Sequence, residues 1–391
     1  MSNHTFDALV IGGGVNGLSA LYHLARLGVT RLGLVERFSL GHERGSSHGA
    51  ARITRSAYTA PEYVRLMQWV HAEEWPRLEK DAGTRLVHPN PGLFAGAPCD
   101  GFNSYIRAVG QEGVDVDVVT PDEARRLYPQ FKLEGVERVL LDRTAGIVAA
   151  SDTMESLARL ARANGVRIFE NTIVHGLDPA ADPVTVETSA GVLEAECLIV
   201  AAGAWAGQLL PFLELRLAVA RQTVGYFVPP DNIDDYRPGR FPVCMYMGEE
   251  ENDVFYGMPE FGRTGVKVAR HVRYGRNDDP DDPPDSVAQY RIDDLNRFMT
   301  MLFNARGWTL AGAEHCLYTV SPNEDFIIDH HPENPRIAIG AGFSGHGFKF
   351  APLSGRLLAE LAWEGKFSIP EAETARRLFS LADKGQSVHD G

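Results

Sequence analysis

The chain has 391 residues, 44% hydrophobic and 23% charged, the make-up of an ordinary globular protein of about two to three domains. Lys and Arg number 38 against 52 Asp and Glu, and the net charge of −14 would repel a phosphate backbone, so no nucleic-acid partner is expected. Four cysteines, at 99, 197, 244 and 316, have neither metal-ligand spacing nor the density of a disulfide scaffold, so no metal is expected.

The first residues, Met-Ser-Asn-His-Thr-Phe-Asp, lack the basic start and apolar core of a signal peptide. No run reaches the roughly 18 to 20 apolar residues of a membrane helix. The expectation is a cytoplasmic protein that does not enter the membrane. Ala8–Ile11 is a short apolar run suited to a strand buried on both faces. Three glycines follow. Leu18, Leu21, Leu24, Ala25 and Leu27 then repeat at helical spacing, and Gly28 ends the helix. Leu32–Val35 reads as a second strand closed by Glu36, completing a βαβ unit. Residues from about 60 to 140 hold a helix with Trp69 and Trp75, then mixed segments.

Met154–Asn164 reads as an amphipathic helix and Val166–Phe169 as a strand. The segments from Val184 and Val192 read as a hairpin, and Cys197–Gly203 as an apolar strand ending in glycine. From about 215 to 320 come alternating strands such as Val224–Val228 and Val254–Gly257, with a polar surface loop at 276–285. Arg336–Gly342 is a late strand running into glycine, and Leu353–Trp363 a helix. The pattern predicts an α/β protein. One nucleotide-binding domain is built from residues 1–60, 141–215 and 321–391, with a second domain from 61–140 and 216–320.

Gly12, Gly14 and Gly17 form G-x-G-x-x-G between the first strand and helix. The first glycine permits the tight turn, the second a close approach of pyrophosphate, and the third close helix–strand packing. The helix amino terminus offers free N–H groups to the phosphates. Glu36, at the end of the second strand, is placed to bind ribose hydroxyls. NAD and FAD share this fingerprint. The late glycine-ended strand Ile337–Gly342, of the form that approaches a flavin ring, favours FAD.

Four motifs together resemble the monomeric sarcosine oxidase family, which includes N-methyltryptophan and pipecolate oxidases. The first is the glycine fingerprint. The second is Arg44-Gly-Ser46-Ser47-His48-Gly-Ala-Ala-Arg52-Ile-Thr-Arg55. The third is Tyr256-Gly-Met-Pro with Gly265-Val-Lys267-Val-Ala-Arg-His271. The fourth is Cys316-Leu-Tyr318-Thr, Asp325-Phe-Ile-Ile-Asp329 and Gly342-Phe-Ser-Gly345-His346-Gly347-Phe348-Lys349. The likeness runs in order from about residue 6 to 364.

The resemblance implies a two-domain flavoprotein like p-hydroxybenzoate hydroxylase. An FAD-binding, Rossmann-like domain carries an inserted mixed-sheet substrate domain. It implies FAD held by a thioether from its 8α-methyl group to Cys316, leaving Cys99, Cys197 and Cys244 structural. Gly12, Gly14, Gly17, Glu36, Arg44, Ser46, Ser47, His48 and Gly203 would bind the cofactor. So would Gly342, Gly345, His346, Gly347, Phe348 and Lys349, with His346 a flavin-side loop residue. Lys267 would stand beside the ring and promote its reoxidation, and Arg52 would lie near the flavin face. Arg55 and Lys349 would bind a substrate carboxylate, with Tyr256, His271 and Tyr318 around the substrate.

The activity implied is oxidation of a secondary or cyclic α-amino acid by hydride transfer to FAD. The imine hydrolyses, and O2 takes the electrons as H2O2. Pipecolate or another N-substituted amino acid is an alternative substrate, and a non-oxygen acceptor an alternative oxidant. A nicotinamide-dependent dehydrogenase and a non-catalytic flavin-binding subunit are more distant readings. A monomer is implied. Several relatives carry Gly-Ser-His-His-Gly-Asp-Thr-Arg in the second motif. Here Ser47, Ala50 and Ala51 bring it closer to the pipecolate type. Met258 and the Glu249–Asp253 run fall on the expected substrate side and bear on which amino acid is used.

Overall fold

The computed structural model describes residues 5–97, 100–249, 253–271, 278–282 and 287–382. Cys99, residues 250–252 of the acidic run and residues 276–277 and 283–285 of the polar loop lie outside them. Two eight-stranded sheets and a small three-stranded one make up the α/β framework.

The first sheet is centred on Thr5–Ile11, which pairs in parallel with Gly191–Val200 on one side and Leu32–Val35 on the other. Leu9 lies opposite Leu198 and Gly33, and Ala8 to Val10 are fully buried. A continuous apolar run fits a strand covered on both faces. Arg167–Phe169 extends the parallel set, and Asn334–Ala341 joins it beside Gly191–Val200. The expected hairpin arm and the expected strand at Cys197 are one ten-residue strand. Its first half alternates and pairs antiparallel with Val184–Thr188, and its apolar second half enters the parallel core.

The helix after the fingerprint spans Val15–Arg26, and Leu32–Val35 has the boundaries that the sequence predicts. The Met154 helix begins earlier, at Ala150, and the late helix spans Ala351–Glu364.

The helix predicted around Trp69 and Trp75 is divided. Pro61–Trp69 and Trp75–Ala82 are α-helical, and Val70–Glu74 between them is a π turn. The side chains give the reason. Glu74 is fully enclosed and accepts hydrogen bonds from Trp69, Arg77 and Arg356. His71 lies between the hydroxyls of Thr54, at 2.6 Å, and Ser56, at 3.1 Å. The wider turn lets both groups reach partners that a regular 3.6-residue period would not serve together.

The second sheet runs Thr309–Val320, Ala218–Val228, Val266–Arg270, Val254–Met258, Val243–Met247, Gly92–Gly96, Val139–Asp142, Val116–Val119. It is antiparallel except between Val243–Met247 and Gly92–Gly96. Ala51–Thr54 pairs with Gly146–Ala149 in the small sheet and sets Arg52 against the cavity. Among the described residues no helix is long and apolar enough to cross a membrane, and no His, Cys, Asp and Glu group could hold a metal ion.

Candidate active site

A cavity of about 900 Å³ runs from the glycine fingerprint to the face of the second sheet. That is at the upper end of the range for pockets that enclose a cofactor or ligand.

At one end lies the fingerprint. Gly12 has φ +103°, and a Cβ there would meet Ala201 O at 2.3 Å. A Cβ on Gly17 would lie 1.9 Å from Gly12 O, so only glycine lets helix and strand pack this closely. Gly14 faces Ser47, whose hydroxyl accepts from Val15 N at 3.0 Å. Glu36 is 5% exposed and accepts from the Gly13 and Phe38 amides at 2.6 and 2.8 Å. Burial alone would raise its pKa, but His42 and these two amides hold it below the usual carboxylate range. Glu36 is therefore charged and lines the cavity beside the glycines. The residues present fit a dinucleotide. A cradle that a Cβ would fill meets a helix amino terminus, with a carboxylate at ribose position.

In the middle, the 44–55 segment folds over the cavity. Ser46 donates to Leu317 O, and His48 contacts His315 O at 2.9 Å. Arg52 donates to Ser46 O, His48 O and Ala51 O, and its guanidinium lies 5.3 Å from the Phe348 ring. These carbonyls fix the arginine at the wall. Gly203, Gly342, Gly345 and Gly347 line the same space. Arg44 is the one predicted cofactor residue whose side chain turns elsewhere; it covers the Phe38 ring at 4.9 Å, exposed to solvent. Gly17 acts from behind the loop and does not line the cavity.

The second sheet supplies the far wall. The alternation around Lys267 leaves its face open, and the structure resolves why. Val266, Lys267 and Val268 are all buried, and Lys267 turns to the cavity. Its Nζ donates to Ala51 O at 2.9 Å. Burial, with Arg52 close by, lowers its pKa to about 7. Cys316 and Tyr318 occupy alternate positions of Thr309–Val320 and line the cavity. Tyr318 shares a hydrogen bond with Tyr256 and packs against His271, the two rings tilted by 55° with centres 5.4 Å apart.

The carboxylate corner lies next to them. Arg55 and Lys349, 294 positions apart in the sequence, meet at Tyr58. Lys349 Nζ donates to the Tyr58 hydroxyl at 2.9 Å, and the Arg55 guanidinium lies 4.4 Å from the same ring. Arg55 also donates to Ala57 O and to the Tyr105 hydroxyl at 3.1 Å. Burial, together with Arg55, pushes Lys349 well below the usual lysine range. The buried Asp142 carboxylate lies near Arg55. His346 contacts Glu324 O at 3.0 Å and Tyr58 at 3.4 Å. Burial pushes its pKa far down, so it is neutral and packs rather than titrates.

A profile of the family described as FAD dependent oxidoreductase matches residues 7–361. The chain is 33% identical over 369 residues to a monomeric sarcosine oxidase of Arthrobacter sp. (strain TE1826), covering 92% of this chain and 93% of the relative. It is also 34% identical over 370 residues to the human peroxisomal sarcosine oxidase, covering 91% and 92%. The chain belongs to the monomeric sarcosine oxidase family. It is thus an FAD-dependent oxidoreductase of an amine-oxidising group, as its motifs predict. The fold agrees. The open form of the Tyr258Phe mutant of NikD, an unusual amino acid oxidase essential for nikkomycin biosynthesis, matches with a TM-score of 0.82 at 22% identity, over 96% of this chain and 97% of that one. The two-domain flavoprotein class is therefore the observed one.

Sarcosine oxidase motifs supply a little under half of the residues that line the cavity. Tyr58, three residues after Arg55, gives no motif signal, and its importance comes from Lys349, 291 positions on, converging with Arg55 on its ring and hydroxyl. Glu314 is equally silent in the sequence, except that it alternates with Cys316 on one strand face. His71 lies in a π turn that no periodicity announces.

Proposed function

We propose that the protein oxidises a secondary or cyclic α-amino acid, with pipecolate and other N-substituted amino acids as the nearest alternatives to sarcosine. In this reading residues 1–60, 141–215 and 321–391 form the FAD-binding unit, and 61–140 and 216–320 the substrate unit. The observation that carries the proposal is the pair of cations at Tyr58, Lys349 buried and Arg55 half-buried. Lys349 is 8% exposed, and the neighbouring charge acting on it is another cation, Arg55. A buried site with surplus positive charge favours a carboxylate ligand.

Gly12, Gly14, Gly17 and Glu36 would hold the nucleotide end of FAD. Ser46, Ser47, His48, Gly203, Gly342, Gly345, Gly347 and Phe348 would hold its middle and ring. Arg44 would act only from the rim. When bound, FAD supplies a two-electron acceptor for the C–H bond beside the amine and a route for those electrons to O2, giving hydrogen peroxide.

The chain's own groups do the rest. Arg55 offers a fork to the carboxylate and Lys349 a point charge. Tyr256, Tyr318 and His271 enclose the amine side, and the fixed geometry substitutes for lost motional freedom. Lys267 places an ammonium where negative charge develops on oxygen. Cys316, facing the cavity close to Lys267 and Arg52, is the thioether residue. The imine product hydrolyses in water; from sarcosine the products are formaldehyde and glycine.

The test is a peroxide-coupled screen of sarcosine, pipecolate, proline and N-methyl amino acids, run beside anaerobic bleaching of the yellow enzyme. Bleaching together with peroxide supports the proposal. Bleaching without peroxide in air would replace oxygen by another acceptor. No bleaching by any carboxylated secondary amine would overturn it.

A further inference from the structure

Three adjacent strands set Lys267, Tyr226 and Glu314 side by side on the sheet face that meets the cavity. Tyr226 pairs directly with Lys267 across one ladder. Glu314 pairs with Val224 across the next ladder, two residues from Tyr226 and on its face. Cys316 follows two residues later on that same face.

Glu314 is held from both sides. The Tyr226 hydroxyl donates to Oε1 at 2.6 Å and Arg263 to Oε2 at 2.6 Å, while the Arg263 guanidinium lies 4.2 Å from the Tyr226 ring. Gly312 leaves the space: a Cβ there would lie 3.0 Å from Arg263. Gly49, at φ +92°, sits between Glu314 and Arg52; its Cβ would meet Glu314 Oε1 at 3.3 Å and Arg52 at 3.4 Å. The charges acting on Lys267 thus come from every side of its pocket. Arg52 is on the small sheet, Arg263 in the turn before its own strand, and Glu314 on Thr309–Val320, where Cys316, as a buried thiol or a thioether, adds no charge. Among these neighbours Glu314 is the carboxylate.

We propose that Glu314, locked by Tyr226 and Arg263, is a positioning residue that sets the charge carried by Lys267 and hence the pH range in which the enzyme reacts with oxygen. This rests on reading Lys267 as the oxygen-side cation. Glu314 is held below the usual carboxylate range, against the opposing effect of burial, by Tyr226 and Lys267. It is therefore charged wherever Lys267, brought down to about 7, exchanges its proton. Glu314 favours the ammonium and Arg263 disfavours it. The two sides of one ion pair thus pull Lys267 in opposite directions.

The experiment is stopped-flow reoxidation of the reduced holoenzyme across pH 5.5–9, for wild type, Glu314→Gln, Arg263→Gln and Lys267→Met. Glu314→Gln keeps one acceptor oxygen, for Arg263, and its NH2 can donate to the Tyr226 hydroxyl. It should move the apparent pKa of the oxygen reaction down by about one unit, and Arg263→Gln should move it up. The pH-dependent absorbance of the oxidised enzyme, read without substrate, should shift the same way. Unchanged profiles in both variants, or shifts of the same sign, would overturn the proposal. If Lys267→Met itself leaves reoxidation unchanged, the reading of Lys267 fails instead, and this inference falls with it.

Discussion

Lys349 donates to the hydroxyl of Tyr58 over 2.9 Å inside the protein, and the neighbour that acts on its charge is a second cation. An ammonium so placed is costly until an anion arrives. Arg55→Met and Lys349→Met should each raise the substrate KM by about 10- to 100-fold, the worth of a charge-assisted hydrogen bond. Tyr58→Phe keeps the ring under Arg55 but removes the acceptor for Lys349. It should cost a few-fold in KM with little change in kcat. Steady-state kinetics, with titration of acetate as a competitor, decide this.

The same corner predicts a pH dependence. Lys349 is held below the usual lysine range by burial and by Arg55, and a bound carboxylate would favour its charged form. Binding then takes up a proton once the pH exceeds the free-enzyme value, and affinity for acetate should fall as pH rises. Measurement of Kd against pH, or of proton uptake by calorimetry in two buffers, checks the sign. Turnover moves the other way at first, because only the neutral substrate amine reacts, so kcat/KM should pass through a maximum.

Cys316→Ser should leave a protein that still binds FAD but releases its colour on acid precipitation. Wild type should keep the colour in the pellet. Release of all flavin from wild type would refute the thioether.

Lys267→Met should leave anaerobic reduction within a few-fold of wild type and slow reoxidation by about 100- to 1,000-fold, the usual effect of removing one preorganised electrostatic group. Stopped-flow traces of the two half-reactions separate the effects.

Glu74→Ala should destabilise the fold by about 3 kcal/mol, since Arg77 and Arg356 lose a buried counter-ion and Trp69 its acceptor. Glu74 is kept below the usual carboxylate range by His23, Trp69 and Arg356, against the opposing effect of burial. Its contribution is present above the ordinary carboxylate pKa and is lost as pH falls through its own lower value. Urea unfolding midpoints at pH 7 and pH 3 should differ less in the variant than in wild type.

The parallel core was legible because Ala8–Ile11 and Leu32–Val35 are apolar without interruption and glycines punctuate them. The late strand and the Ala351–Glu364 helix were legible for the same reason. The second sheet was only partly so. Val266-Lys267-Val268 reads as alternation, whereas both of its faces are covered, and alternation cannot register a lysine buried against a cofactor cavity. The motifs named a little under half of the cavity residues. They did not name Tyr58 or Glu314, whose roles come from partners hundreds of positions away or on other strands, where local periodicity carries no information.

The π turn at Val70–Glu74 has a consequence for how this chain tolerates change in length. Deleting one residue there would close the turn to a regular helix, and because the wide turn is what absorbs that residue, everything beyond it would stay nearly in phase. Trp75, whose indole N–H donates to Lys349 O at 3.0 Å, would keep its place, but His71 and Glu74 would no longer both reach their partners. A one-residue shortening about 275 positions upstream would then be felt as lost stability and not at the substrate. Pairing a urea midpoint with acetate affinity for that deletion would separate the two.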